Sequence, residues 1–328
     1  MMSSLLTVEH LKVQVPALDR PLLRGVSLRV GVGEAVALVG ESGSGKSLTT
    51  RAILRLLPQG SDVQGLIEFD GHDVMQLSGK ALRRWRATEV GMIFQDPKAH
   101  INPVRTVGDF LLEGLGNRFA NRREAHKSAM EMLREVGISN PEQRAQRRPH
   151  ELSGGLLQRV MIASVLLRQP RLLLADEPTT ALDVTTQADV MAIIDEQRQQ
   201  RGMAMLFITH DLDLASAVCD RIAVMYAGAI VEQAPAEALV DTPAHPYTAG
   251  LLRSRPELGR VGELHPIAGR PISGAEAGQG CAFAPRCAAA MDVCLTDDPE
   301  LRPSTTGSVA CQLWQDRRLA HPAEVLHV

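Results

Sequence analysis

An apolar strand running straight into Gly40-Glu41-Ser42-Gly43-Ser44-Gly45-Lys46-Ser47 constrains this chain more than any other feature. The eight residues fit the pattern G-x-x-x-x-G-K-[ST]. Residues 35–39 read as a buried strand, and residues 48–57, opening with Leu48, read as a helix. Strand, glycine loop and helix in that order make a phosphate cradle. Glycines let successive N–H groups turn inward, and the positive end of the new helix favours an anion. Lys46 is expected on the terminal phosphates and the Ser47 hydroxyl on Mg²⁺. A glycine-rich turn before a helix is the bland alternative, and the Lys-Ser pair argues against it.

With 328 residues the chain has room for one large domain and a smaller one, and for a core that needs no disulfides. Its 35 basic and 38 acidic residues give a net charge of −3, without the basic surface that nucleic acid requires. The longest apolar run, near residues 160–167, is too short to span a bilayer. The first ten residues lack a basic stretch followed by an apolar one, so no secretory signal is expected. A cytosolic protein is the expectation, with any membrane spans carried by other chains.

Residues 5–8, 11–15, 26–30, 66–71 and 90–95 read as strands. Residues 104–158 read as helical, with Met130, Leu133 and Val136 on one face. Continuous apolar runs at 171–176 and 204–209 are two more strands, followed by strands at 221–226 and 229–232. Buried runs alternating with helices predict an α/β fold whose parallel sheet is covered on both faces. Proline and glycine thicken over residues 243–280, which places a boundary near residue 255.

Several residues besides the loop carry chemistry. Asp176 ends a strand, where ligands of open α/β sheets bind, and is expected in the Mg²⁺ shell beside Ser47. Glu177 follows it and would polarise an attacking water. Alone, the pair would read as an acidic strand end. His210 follows the next buried run and would face the same pocket, reaching the γ-phosphate or the water. Gln95 would offer its amide oxygen to Mg²⁺ or its water. Ser153, Gly154 and Gly155 open a helix and form a second anion cradle without a lysine, which suits a neighbour's nucleotide.

Taken in order, these residues resemble an ATP-binding cassette ATPase of the transporter type over residues 5–235. Gly40 to Ser47 resembles Walker A, Gln95 the Q-loop and Leu152-Ser153-Gly154-Gly155 the signature. Residues 172–177 resemble Walker B, Ala181-Leu182-Asp183 the D-loop and His210 the switch histidine. The resemblance implies a P-loop NTPase fold: a RecA-like core, an antiparallel β subdomain and a helical subdomain over about residues 96–160. It also implies ATP, Mg²⁺ and a head-to-tail dimer in which each ATP lies between one Walker A and the other signature. Two positions depart from the pattern. Leu156 stands where glutamine is usual, and no aromatic precedes Phe69, so residues 13–15, Val13 and Val15 among them, would meet adenine through apolar contact alone. Weak base discrimination is the expectation.

The finer resemblance is to the D-type ATPase of oligopeptide, dipeptide and nickel importers, carried by Phe94-Gln95-Asp96-Pro97, residues 149–155, residues 176–184 and His245-Pro246-Tyr247-Thr248. It implies an F-type ATPase partner, two membrane permeases, an external solute-binding protein and a place on the cytoplasmic face of the inner membrane. A metal-chelate importer and a non-transport accessory ATPase are the alternatives. Only some 57 residues separate Gln95 from Ser153, too few for the long coiled coil of a DNA-repair type. Residues 256–328 resemble the importers' C-terminal extension. Cys281, Cys287, Cys294 and Cys311 fall there in the spacing C-x5-C-x6-C-x16-C, while Cys219 reads as a core residue. Four soft thiolates suit an iron–sulfur cluster or zinc, the absence of a C-x2-C knuckle weakens zinc, and free thiols stay open. Some members of the resembled family carry a [4Fe–4S] cluster here.

Overall fold

The computed structural model describes residues 4–113, 115, 118–180, 183–255 and 266–315. Two compact units emerge. One holds residues 6–30, 35–75 and those from 208 onward. The other holds residues 31–34 and 76–207 together with the first five.

The first unit opens with β1 (Ser4–Gln14), β2 (Leu23–Gly31) and β3 (Ala35–Val39), then α1 (Lys46–Ile53), β4 (Asp62–Phe69) and β5 (His72–Asp73). Strand order β2-β1-β4-β5 gives a sheet in which β1 and β4 run antiparallel. The two strands expected at 5–8 and 11–15 are one strand with a bulge. The register slips between Glu9 and Lys12, and His10 takes φ 50°. Gly65 on the partner strand makes room: a Cβ there would lie 2.5 Å from the Glu9 carbonyl oxygen.

The second unit contains α2 (Gly79–Thr88), β6 (Val90–Ile93), α3 (Pro97–His100), α4 (Val107–Leu112), α5 (Arg122–Glu135), α6 (Pro141–Ala145), α7 (Gly154–Leu166), β7 (Leu172–Asp176), α8 (Val184–Arg201) and most of β8 (Ala204–Thr209). The strands lie in the order β8-β7-β6, and β6 and β7 are parallel, with Val90 opposite Leu172 and Ile93 opposite Ala175. Every residue of β7 and β8 is buried, as a parallel strand covered on both faces requires. Helices α4 to α7 pack on one another. Asn121 starts α5 by accepting the Glu124 N–H at 2.9 Å. Met130, Leu133 and Val136 then point inward as their spacing predicts.

The chain returns to the first unit with α9 (Leu212–Val218), β9 (Arg221–Tyr226), β10 (Ala229–Pro235), α10 (Ala236–Asp241) and α11 (Pro246–Arg253), and continues through α12 (Asp292–Thr296), β11 (Arg302–Pro303), β12 (Ser308–Val309) and α13 (Gln312–Gln315). Strand β9 runs parallel to β3, with Val39 opposite Val224. A tight hairpin at Ala227 (φ 44°) and Gly228 (φ 79°) reverses β9 into β10. Strand β12 pairs with β10, placing Glu232 opposite Val309. The C-terminal extension thus continues the sheet. The boundary expected near residue 255 meets residues 256–265, which lie outside the described residues.

Leu133 is fully buried in the helical layer, whereas Lys127 on the same helix pairs with Glu131 at 3.8 Å in the open. Leu133→Ala is expected to cost about 2–5 kcal/mol by loss of buried area and creation of a cavity. Lys127→Ala should cost less than about 0.5 kcal/mol, the worth of an exposed i,i+4 pair. Midpoints of denaturant unfolding check both.

Candidate functional site

The phosphate loop leaves β3, whose five residues are all buried. Gly40 sits at its mouth, where a Cβ would lie 2.1 Å from the Met225 carbonyl oxygen. Gly45 takes φ 109° and caps α1, so no other residue fits there without strain. The β9–β10 hairpin steadies the loop, since the Gly228 N–H donates to the Ser44 carbonyl at 2.8 Å. Lys46 is 5% exposed, and its Nζ donates to the carbonyls of Gly40 (2.7 Å) and Glu41 (3.0 Å). The Ser44 hydroxyl is buried and finds no hydrogen-bond partner among the described residues. An orphaned hydroxyl, a buried ammonium and a helix N-terminus fit a phosphate ligand. Ser42 and Gly43 are exposed, and Ser47 and Leu48 are half-buried at the start of α1.

The acids lie in the second unit. Strand β7 delivers Asp176 to its C-terminal end, where the side chain is 4% exposed. Glu177 follows at φ 45°, a backbone shape that costs a non-glycine residue of order 1–3 kcal/mol and recurs at functional sites. Its Oε2 accepts from Gln95 Nε2 at 3.0 Å and from the Thr180 hydroxyl at 2.8 Å. Gln95 lies beyond the end of β6 and not within the strand, which lets its side chain turn towards Glu177. Its amide nitrogen is thereby used on Glu177, leaving the amide oxygen for a cation. Thr180 was not singled out from the sequence; its place three residues after Glu177 is the signal that could have found it.

Ser153 caps α7, its hydroxyl accepting the Leu156 N–H at 3.4 Å. Ser153 and Gly154 are exposed, so this helix start is open to an outside anion. Gly155 is required by packing, because a Cβ would lie 2.9 Å from the Thr186 methyl group. Leu156 is half-buried in the first turn of α7. Asp183 caps α8 and accepts from the Thr186 N–H (3.0 Å) and hydroxyl (2.7 Å), while Ala181 and Leu182 lie outside the described residues. His210 is exposed just past β8. Val13, expected near adenine, is wholly buried between β-sheet neighbours and cannot present a face to a base, whereas Val15 is half-exposed beyond the end of β1.

Cys281, Cys287, Cys294 and Cys311 line one small cavity, walled by His245, Phe283 and Leu313. Burial, with the neighbouring thiols adding to it, pushes Cys287 up to about 11 and Cys311 up to about 12, and raises Cys281 likewise. These three are neutral thiols at physiological pH unless a metal takes their protons. Burial also holds the His245 imidazole down at about 3, so it is uncharged. Among the described residues, no three His, Cys, Asp or Glu side chains are grouped closely enough for a single metal ion.

The ABC transporter family matches residues 23–180, and the oligopeptide/dipeptide transporter C-terminal region matches residues 231–294. The oligopeptide transport ATP-binding protein AppD of Bacillus subtilis is 42% identical over 327 residues, covering 96% of this chain and 98% of that one. The chain belongs to the ABC transporter ATP-binding family. A putative peptide import ATP-binding protein of Brucella melitensis is 45% identical, over 89% of the cassette chain and 91% of its own length. The oligopeptide transport ATP-binding protein OppD of Mycobacterium tuberculosis is 44% identical over 92% of the cassette chain, which spans only 50% of that longer relative. Among solved structures, cbiO1 of Clostridium perfringens, part of the ABC transporter complex cbiONQ, superposes with a TM-score of 0.64 at 28% identity, over 73% of this chain and 91% of that one. The cassette MJ0796, a dimer in a post-hydrolysis state bound to ADP and Pi, gives 0.63 at 26%, over 70% and 98%. The fold is that of the P-loop cassette ATPases, as the motifs implied. Three of the four clustered cysteines fall within the matched C-terminal region, and Cys311 lies beyond it.

Replacing Glu177 by Gln keeps its size and its hydrogen bonds to Gln95 and Thr180 while removing the negative charge. Turnover is expected to fall by about 10²–10⁴-fold. Steady-state phosphate release, measured beside equilibrium MgATP binding, checks this. Binding should persist, and rapid residual hydrolysis would remove Glu177 from the chemistry.

Proposed function

We propose that this chain is the ATP-hydrolysing subunit of a peptide-class importer. One observation carries the reading: near full-length similarity to relatives described as peptide import ATP-binding proteins, in a chain where the strand-end acid Glu177 is held by Gln95 and Thr180. The residues suit Mg²⁺ and a triphosphate. Ser47, Asp176 and the amide oxygen of Gln95 are hard oxygen donors of the kind that Mg²⁺ takes. When bound, the metal neutralises charge on the β- and γ-phosphates.

This chain's own groups do the rest. The N–H groups from Ser42 to Ser47 hold the phosphates, and Lys46 turns from two carbonyls to the terminal oxygens. Glu177 orients the attacking water and accepts its hydrogen bond, and His210 holds the γ-phosphate side of the site. Ser153 and the N–H groups of Gly154 and Gly155 serve a second ATPase's triphosphate, with Asp183 at the same junction. The dimer of MJ0796 supports the pairing of two cassettes. The pairing proposed is with an F-type ATPase subunit. The assembly then contains two membrane permeases and receives cargo from an extracytoplasmic solute-binding protein. Among the described residues no helix is long and apolar enough to cross a membrane, which suits a peripheral place on the cytoplasmic face of the inner membrane. In this reading residues 1–255 form the ATPase domain, with a helical subdomain over about 96–160, and residues 256–328 form the extension.

Reconstitution in vesicles with two peptide-importer permease subunits, an F-type ATPase subunit and a solute-binding protein tests the reading. Peptide-stimulated ATP hydrolysis that disappears with Lys46→Ala is expected. Hydrolysis indifferent to both permeases and binding protein would overturn it.

We propose that the four thiols, which line one small cavity, hold a [4Fe–4S] cluster rather than zinc, soft sulfur donors without a C-x2-C knuckle being the argument. Cys281, Cys287, Cys294 and Cys311 would hold it and tie down an extension with little core of its own. Anaerobic purification should yield about four iron and four sulfide per chain, lost on Cys287→Ser. Stoichiometric zinc, or neither element, would overturn the assignment.

A further inference from the structure

The phosphate loop carries an acid where it is to receive an anion. Glu41 is its second residue, and its carboxylate is gripped in a two-pronged ion pair by Arg286 of the C-terminal extension. Arg286 Nη1 reaches Oε2 at 2.6 Å, and Nη2 reaches Oε1 at 3.0 Å. The Arg286 side chain is 6% exposed and that of Glu41 is 24% exposed. Bidentate pairing of this kind is the strong, directional form of the contact. Arg286 is itself fixed. Its Nε donates to the Ala268 carbonyl at 2.8 Å, Nη1 touches the Tyr226 hydroxyl at 3.4 Å, and the guanidinium lies 5.7 Å from the Tyr226 ring centre and 5.9 Å from that of Phe283.

The backbone of Glu41 is held as well. Its N–H donates to the Tyr247 hydroxyl at 2.9 Å. Tyr247 is fully buried, and burial raises its hydroxyl far above the usual range, so the proton stays on. Tyr226, Tyr247 and Phe283 form one aromatic cluster, with centroids 4.8–5.3 Å apart. Residues 206 and 245 positions downstream therefore set both the charge and the path of the second residue of the loop.

An unpaired carboxylate at this place would repel the triphosphate across a short, partly desolvated distance. We propose that Arg286 is a positioning residue for nucleotide: by neutralising and holding Glu41 it lets the loop accept MgATP, so the C-terminal extension completes the phosphate site. This goes beyond the importer reading but rests on the chain binding MgATP, which the unaltered protein tests by itself. The inference also differs from a plain tether. Arg24 and Asp298 form another ion pair to the extension, one that involves neither Glu41 nor Arg286 and in which Asp298 is half exposed.

The experiment measures equilibrium MgATP binding and steady-state kinetics on the full-length chain, with thermal unfolding beside them. Arg286→Gln should weaken MgATP binding by about 10-fold or more and raise KM more than it lowers kcat. Adding Glu41→Gln to Arg286→Gln should return most of the lost affinity, because the repelling charge is gone; a merely structural arginine would give no such rescue. Arg286→Lys, which keeps the charge without the fork, should fall between, and stands in if Arg286→Gln does not fold. Arg24→Gln should leave MgATP binding unchanged. Unchanged affinity in Arg286→Gln, a double variant as weak as the single, or equal weakening by Arg24→Gln would each overturn the inference.

Discussion

A lysine ammonium with almost no access to water is the demand that the nucleotide-loop unit is built around. Burying a charge without partners is costly, and Lys46 is compensated by the carbonyls of Gly40 and Glu41. Those carbonyls face inward only because the loop curls, and the loop curls only where side chains are missing. The Met225 backbone already fills the space beside Gly40, and Leu23 and Met225 side chains fill that beside Gly45. Met225 belongs to β9, whose register against β3 is therefore fixed by the loop as much as by the sheet. The hairpin that ends β9 closes the circle by donating a hydrogen bond to Ser44. Strand pairing, glycine placement and the buried charge are one interdependent arrangement, poised to trade carbonyl oxygens for phosphate oxygens.

The second unit solves a different problem: orienting a carboxylate. Glu177 accepts hydrogen bonds from an amide and a hydroxyl, those of Gln95 and Thr180. The left-handed backbone at Glu177 sends its side chain off in a direction that a continuing strand could not reach. Gln95 gains its reach the same way, by lying just past β6 in a segment that Asp96 then turns into α3 through a cap on the Lys98 N–H. Both units thus place chemistry at the ends of buried parallel strands, where regular hydrogen bonding stops and side chains become free to serve a ligand.

What the sequence disclosed and what it hid divide along the range of the interactions. The phosphate loop, the strand-end acids and the Ser153 helix start were legible because each depends on a few adjacent residues whose chemistry is local: glycine for backbone freedom, lysine for phosphate, a hydroxyl for a helix end. The inward face of α5 was legible from the spacing of Met130, Leu133 and Val136. The bulge in β1 was not, since it depends on Gly65 of the opposite strand and its pattern reads equally well as two strands with a turn. Val13 and Val15 could not be told apart in the sequence, because an apolar residue near the loop can line a pocket or fill a core, and the complete burial of Val13 decides its case. The docking of β12 on β10 and the Arg286–Glu41 pair were invisible for the same reason: nothing in two residues says how a chain folds back across more than 70 or 240 positions.

The extension illustrates how a region poor in regular structure is held. Among its described residues, Val309, Cys311 and Leu313 cluster with Ala244, and Phe283 packs on Tyr226 and Tyr247. The extension has anchors of other kinds as well. Strand β12 adds backbone hydrogen bonds to β10, Arg20 donates to the Ala277 carbonyl at 2.7 Å, and Arg286 locks onto Glu41. Glu232, buried and pushed towards its neutral form by that burial, receives the N–H groups of Ala244 and His245 at 2.7 and 2.9 Å and so ties the start of α11 to β10. None of these contacts passes through a cysteine sulfur. Docking of the extension is secured by strand pairing and charge, with Arg286 fixed by Glu41, Tyr226 and the Ala268 carbonyl rather than by its neighbour Cys287.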